Sequence, residues 1–73
     1  MITLNDLRTG EQARVTWIMG DSAQLICRYF GLRPNSVLRM IRNTGKDDLI
    51  VAHGPRRFVF DPESAYWIKM ELV

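Results

Sequence analysis

The fold is decided by a helix with a marked end, in the stretch DSAQLICRYFGLRP at residues 21–34. Asp21 is of a residue type that caps the first free amides of a helix, and Gln24 resembles the second half of a capping box. Gly31 supplies the left-handed residue at which helices commonly end, and Pro34 prevents continuation. The sequence therefore predicts one helix over about residues 21–30.

The apolar residues of this helix recur at helical spacing and predict one broad buried stripe. They are Ala23, Leu25, Ile26, Cys27, Tyr29 and Phe30. Gln24 and Arg28 are left for the solvent side. Because a helix of about ten residues is not stable alone in water, we expect it to cover the open end of a small sheet or barrel.

Short segments of strand character lie on both sides of the helix. They cover residues 13–19, 37–42, 49–53, 57–60 and 66–73. Residues 4–11, which precede the first segment, predict only an entry turn. Ile18 breaks the strict alternation of the first segment, which predicts a bulge near Trp17.

One more local signal precedes the last strand. Asp61 followed by Pro62 is typical of a capped helical turn, here over about residues 62–65. Five short strands with one inserted helix predict a mainly β, strongly bent barrel, whose closure would remove exposed edges. At 73 residues we expect a single domain over residues 1–73.

Composition excludes several classes of protein. Cys27 is the only cysteine, so a disulfide-stabilised secreted scaffold is not expected. The first residues do not resemble a signal peptide, and no apolar run approaches the ~20 residues of a membrane-spanning helix. The net charge of +2 is low for a nucleic-acid module. We expect a cytoplasmic protein without direct membrane insertion.

Several short motifs follow one another in a fixed order along the chain. They are Leu4-x-x-Leu7-x-x-Gly10, Ala13-x-Val15-x-x-Ile18, Phe30-Gly31-Leu32-x-Pro34, Gly45, Gly54, Asp61-Pro62-Glu63-Ser64-Ala65 and Ile68-x-Met70-Glu71. Together they resemble the FeoA family of ferrous iron transport accessory proteins. The same domain also occurs at the C-terminus of iron-dependent repressors of the diphtheria toxin repressor type. The resemblance covers nearly the whole chain.

The resemblance implies an SH3-like β-barrel and a cytosolic accessory role without catalysis. It implies a partner as well, the cytosolic, GTP-binding part of a FeoB-type ferrous iron transporter. We therefore expect a non-enzymatic regulatory protein of iron uptake. Asn35 stands where the family often has Gly, and Asn tolerates the positive φ that such a turn requires.

Residues suited to catalysis or metal binding are sparse. A nucleophile-and-base site would need Cys27 near His53, yet Cys27 falls within the predicted buried stripe. His53 and the loop pair Asp47-Asp48 show none of the spacings typical of a metal site. The glycines are scattered and form no phosphate-binding loop. We predict no catalytic residues, no metal ligands and no cofactor.

The predicted partner-binding surface is the exposed side of the helix with the turn after it. Its residues are Gln24, Arg28, Tyr29, Leu32 and Arg33. Tyrosine and arginine often anchor protein interfaces. The alternative is that Tyr29 and Leu32 only seal the barrel.

Two other roles stay open. A small barrel can bind nucleic acid by stacking bases on aromatic residues and pairing phosphates with cations. Trp17, Tyr66, Trp67 and the pair Arg56-Arg57 are the candidates, in such a module or one associated with a transcription regulator. Trp17 and Trp67 would also suit weak self-association if they lie outside the core.

Overall fold

The computed structural model describes residues 2–73, which form one curved antiparallel sheet and two helices. The strands are β1 (Ile2–Thr3), β2 (Gln12–Ile18), β3 (Val37–Arg42), β4 (Leu49–His53), β5 (Arg56–Phe60) and β6 (Ile68–Leu72). The helices are α1 (Asp21–Phe30) and α2 (Pro62–Tyr66). The strand order is β1-β6-β2-β3-β4-β5.

The core is built from the inward-facing residues of every long strand. It includes Ala13, Val15, Leu38, Met40, Leu49, Val51, Phe58, Phe60, Ile68 and Met70. Because successive residues of a strand point to opposite faces, all of these side chains come from one face of the sheet. They form one cluster, so the sheet curls around it. This confirms the mainly β architecture.

The strands differ from the prediction in number and in closure. Six strands are present rather than five, because β1 precedes the predicted entry turn, which itself begins with a 3-10 turn at Leu4–Asp6. β1 is two residues long and is defined only by its pairing with β6, which no local pattern could reveal. Within residues 2–73 the edge strands β1 and β5 do not pair with each other, so the sheet curls without closing completely.

The end of α1 forms as predicted. Gly31 has φ 76° and ψ 21°, and its N–H donates to the carbonyl of Arg28. The Leu32 N–H donates to the Cys27 carbonyl over 2.7 Å, which satisfies another of the last free carbonyls of the helix.

The predicted start and apolar stripe of α1 are wrong in part. Gly20 is the capping residue and makes no side-chain cap, while Asp21 is already the first helical residue. Ala23 and Cys27 are buried, but Leu25 and Tyr29 are 65% and 85% exposed. Only the side of the helix that carries Ala23 and Cys27 is buried in the molecule.

The short helix before the last strand confirms its predicted cap. The Ser64 N–H donates to Oδ2 of Asp61 over 3.1 Å, and Pro62 occupies the first helical position. α2 runs to Tyr66, so the last strand begins at Ile68 rather than at residue 66.

Candidate docking groove

A concave surface of about 520 Å³ lies between the end of β2 and the exposed side of α1. We call it the basic groove. It is lined by Trp17, Ile18, Gln24, Arg28, Gly31, Leu32, Arg33 and Pro34. Four of the five residues predicted to bind a partner are therefore brought together, and Tyr29 is the one left outside.

A bulge in β2 places Trp17 at the groove. Val15 pairs with Met70 and Trp17 with Lys69, so Thr16 is the extra residue between them. The Thr16 hydroxyl donates to the Lys69 carbonyl over 3.1 Å and holds the bulge. Without the extra residue Trp17 would share the inward face of Val15. With it, Trp17 turns outward and is 62% exposed. The predicted bulge is confirmed.

The floor of the groove is part of the core. Leu32 is only 4% exposed and belongs to the main hydrophobic cluster. Leu32 is therefore not exposed as expected, and it packs in the core as the alternative supposed. Its contact with a partner stays a prediction. The same alternative is wrong for Tyr29, whose side chain is 85% exposed.

The turn after α1 is held rigidly against β2. Asn35 adopts φ 80° and its N–H donates to the Val15 carbonyl over 2.7 Å. The Arg33 N–H donates to the Ser36 hydroxyl over 3.1 Å. The backbone that carries Arg33 is thus fixed before any partner arrives. The expected tolerance of Asn35 for positive φ is confirmed.

Gln24 connects the two sides of the groove. Its Nε2 donates to the Ile18 carbonyl over 3.2 Å, which ties α1 to the end of β2. This contact replaces the predicted capping-box role of Gln24. The side chain remains exposed, so it can also meet a partner.

The charge of the groove comes from two arginines without a carboxylate partner. In the part of the chain that the structure describes, the one ion pair joins Arg14 to Glu71. Arg28 and Arg33 are both exposed and unpaired. Guanidinium groups beside an apolar floor suit a partner segment that offers carboxylates and an apolar side chain.

The candidates for chemistry are not among the residues that line the groove. Cys27 is 1% exposed, and burial raises the pKa of its thiol to about 11. This confirms Cys27 as a core residue. His53 is half-buried at the end of β4, and Asp47 and Asp48 are exposed in the loop before that strand. No group of three or more His, Cys, Asp or Glu side chains within residues 2–73 is placed to hold a metal ion.

The candidates for nucleic-acid binding are brought together only in part, since the rings of Tyr66 and Trp67 lie 5.3 Å apart. Arg56 lies over the Phe58 ring, 5.1 Å from its centroid. Arg57 is exposed on the opposite, outer face of β5, since neighbouring residues of a strand alternate. Trp67 packs beside Gly20, away from the basic groove.

Sequence reasoning missed Trp17, Ile18 and Pro34 as groove residues. The broken alternation at Ile18 was the available signal, because a bulge there reverses the direction of Trp17. None of the helices within residues 2–73 has the length and apolar character needed to cross a membrane.

No protein-family model matches the sequence, and no characterised protein matches it at the level of sequence. Solved structures do match. An iron uptake regulatory protein, FeoA, superposes with a TM-score of 0.90 at 19% identity, over 99% of this chain and 97% of that chain. The chain has an FeoA-like fold.

Two further structures extend this comparison. FeoA of Stenotrophomonas maltophilia, solved with zinc and described as an SH3 domain protein, has a TM-score of 0.82 at 22% identity, over 97% of this chain and 91% of that one. A manganese-dependent transcriptional repressor has a TM-score of 0.88 at 17% identity, over 99% of this chain and 41% of that one. The FeoA-like, SH3-like fold expected from the motifs is thus confirmed.

Proposed function

We propose that the chain is a non-enzymatic accessory protein of ferrous iron uptake. It works in the cytosol and docks its basic groove on the cytosolic part of a FeoB-type transporter. The observation that carries the proposal is the FeoA-like fold, which spans 99% of this chain and 97% of an FeoA protein. The convergence of Gln24, Arg28 and Arg33 in one groove supports the choice of surface.

The groove combines an apolar floor with two cations at its side. Trp17 and Pro34 supply exposed apolar surface above Leu32. Trp and Arg are the residue types that most often dominate binding energy. Because hydrogen bonds already hold the turn that carries Arg33, little conformational entropy is lost there on binding.

Docking would regulate transport by changing the population of transporter conformations. A bound protein shifts such an equilibrium only as far as its affinities for the two conformations differ. The accessory protein needs no chemistry of its own for this purpose. Its rigid groove would recognise the transporter's cytosolic part in one conformation better than in the other.

A pull-down with the transporter's cytosolic part tests the proposal. The variant Arg28→Glu/Arg33→Glu reverses both charges of the groove, and we expect it to lose binding. Arg39→Glu/Arg57→Glu is the matched control, since it makes the same charge change on the outer face of the sheet and should bind like the wild type. Equal binding by the folded groove variant, or equal loss in both variants, would contradict the proposed surface.

A second function is favoured by the repressor match and by the outer sheet face. Arg39 and Arg57 both lie directly opposite Ala52 on neighbouring strands, so they share that face. The chain would then be a regulatory module beside a nucleic-acid-binding partner. Salt-dependent retention on an oligonucleotide column, lost in Arg39→Glu/Arg57→Glu, would support this function. Absence of retention at low salt would exclude direct nucleic-acid binding.

A further inference from the structure

A second concave surface, of about 400 Å³, lies where the first turn of α1 meets α2. We call it the acidic concavity. It is lined by Gly20, Asp21, Ser22, Ala23, Asp61, Glu63, Ser64 and Trp67. Its carboxylates, on Asp21, Asp61 and Glu63, are all exposed, and no cation is among its lining residues. None of the three forms an ion pair within residues 2–73.

The acidic turn, Asp61-Pro62-Glu63, borders this surface, and all three of its residues are exposed. Two hydrogen bonds hold this turn in its conformation. Ser64 N–H donates to the Asp61 carboxylate, and Nδ2 of Asn5 donates to the Pro62 carbonyl over 2.6 Å. Hydrogen bonding from the side chain and then from the backbone N–H of Ser64 lowers the pKa of Asp61, which favours the ionised carboxylate. The turn thus presents an apolar ring between two carboxylates in one preset conformation.

The basic groove has the complementary features. It offers the unpaired guanidinium groups of Arg28 and Arg33, with the exposed Trp17 indole beside them. Within residues 2–73, no carboxylate is within ion-pair distance of either arginine. The molecule therefore leaves the arginines of its own groove unpaired, although it carries a turn of complementary charge and apolar character at the start of α2.

We propose that copies of this chain associate head to tail, the acidic turn of one copy entering the basic groove of the next. The Pro62 ring contacts Trp17, and the carboxylates of Asp61 and Glu63 pair with Arg28 and Arg33. The contact joins two different surfaces, so it is heterologous and leaves one groove and one turn free at the ends of each assembly.

This inference goes beyond the proposed function and does not depend on it. Both contacts use the same groove, so a copy bound there would exclude the transporter. Self-association would then keep the groove occupied until a transporter segment displaces the neighbouring copy. Self-association is measured on the purified chain alone, so its failure leaves transporter docking to its own test.

Two variants separate the two surfaces. Arg28→Glu/Arg33→Glu removes the groove and keeps the acidic turn. Asp61→Asn/Glu63→Gln neutralises the acidic turn and keeps the groove, and Asn retains the helix-capping oxygen. Arg39→Glu/Arg57→Glu is the charge-matched control for the groove variant. Circular dichroism and thermal melting confirm that each variant is folded.

Sedimentation velocity measures the assembly from roughly 10 µM to roughly 1 mM protein, a range that covers weak association. We expect the wild type and the sheet-face control to grow with concentration at about 0.01 M salt. Each groove or turn variant should stay monomeric alone. An equimolar mixture of the two should form dimers and nothing larger, because only one complementary pair of surfaces remains.

The salt dependence gives a second readout. Raising the salt to about 1 M shortens the Debye length from roughly 30 Å to roughly 3 Å, and should weaken wild-type association at least tenfold. A wild type that stays monomeric throughout would overturn the proposal. So would self-association of either folded variant, or a mixture that remains monomeric.

Discussion

The basic groove and the acidic concavity are two hollows along one helix, the groove beside Gln24 and Arg28 and the concavity beside its first turn. Each contains an exposed tryptophan, Trp17 in the groove and Trp67 in the concavity. They differ in charge, since the groove carries Arg28 and Arg33 while the concavity carries three carboxylates. A net charge of +2 conceals this separation.

The separation follows from the helices themselves. α1 has Asp21 in its first turn and Arg28 in its last turn, and α2 has Asp61 at its cap and Glu63 in its first turn. Acids near a helix start and bases near its end are favoured by the helix dipole. Because α1 and α2 begin beside each other, their acids collect in one hollow. Charges that stabilise the helices therefore also set the sign of each surface.

The largest expected effect concerns the floor of the groove. Leu32→Ala removes a side chain that is 4% exposed, and should lower the free energy of unfolding by about 2–5 kcal/mol. Tyr29→Ala, at an 85% exposed position, should change it by less than about 0.5 kcal/mol. Urea unfolding measures both. Similar losses in the two variants would contradict the assignment of Leu32 to the core.

The two tryptophans give a matched comparison of the hollows. Trp17→Ala should weaken docking on the transporter's cytosolic part by about 2 kcal/mol, which is roughly 30-fold, if Trp17 is a binding hot spot. Trp67→Ala should leave docking unchanged, because Trp67 lines the acidic concavity and not the groove. Titration calorimetry measures both affinities. A greater loss in Trp67→Ala would assign docking to the acidic concavity instead.

The turn that positions the groove depends on the backbone of Gly31. Gly31→Ala should cost about 1–2 kcal/mol of stability, since φ is 76° there. A Cβ at this position would meet no atom within 4 Å, so the cost is conformational rather than steric. Gly31→Asn should cost less, because Asn visits the left-handed region more readily. Thermal melting compares the two, and equal costs would contradict this explanation.

The smallest expected effect concerns the cap beside the acidic concavity. Asp61→Ala should cost about 1 kcal/mol through loss of the bond from Ser64. The hydrogen bond lowers the folded-state pKa of Asp61, so ionised Asp61 adds stability above its unfolded pKa of about 3.9. This contribution to stability is lost as the pH falls through the lower pKa that Asp61 has in the folded state.

Urea unfolding between neutral pH and about pH 2 measures the contribution of the Asp61 charge to stability, because this range spans the ordinary pKa of an aspartate. The stability difference between the wild type and Asp61→Asn should shrink as the pH falls. A difference that stays constant over this range would show that the Asp61 charge adds nothing to the cap.

Features fixed by local chemistry could be predicted from the sequence. The end of α1 at Gly31 and the cap of α2 at Asp61 depend on a few neighbouring residues, and both were found. β1 could not be found, because two residues become a strand only by pairing with β6 at the other end of the chain. Leu25 was misplaced because periodicity shows which helix residues are apolar but not how much of the helix the sheet covers.

The residues of the basic groove could be predicted only in part, because local structure positions some of them and long-range strand pairing positions others. Arg28 and Arg33 follow from the helix and its turn, which are local. Trp17 was missed as a groove residue because its direction depends on the pairing of β2 with β6, where Thr16 is the extra residue. That pairing joins residues more than fifty positions apart in sequence, beyond the reach of a local pattern.

The central claim is that the basic groove is the surface that docks on the transporter. The most direct test is a nuclear magnetic resonance titration of the isotope-labelled chain with the unlabelled cytosolic part of the transporter. We expect the largest shifts at the Trp17 indole and at the amides of Gln24, Arg28 and Arg33. Shifts concentrated at Arg39 and Arg57 on the outer sheet face, with the groove unchanged, would contradict the claim.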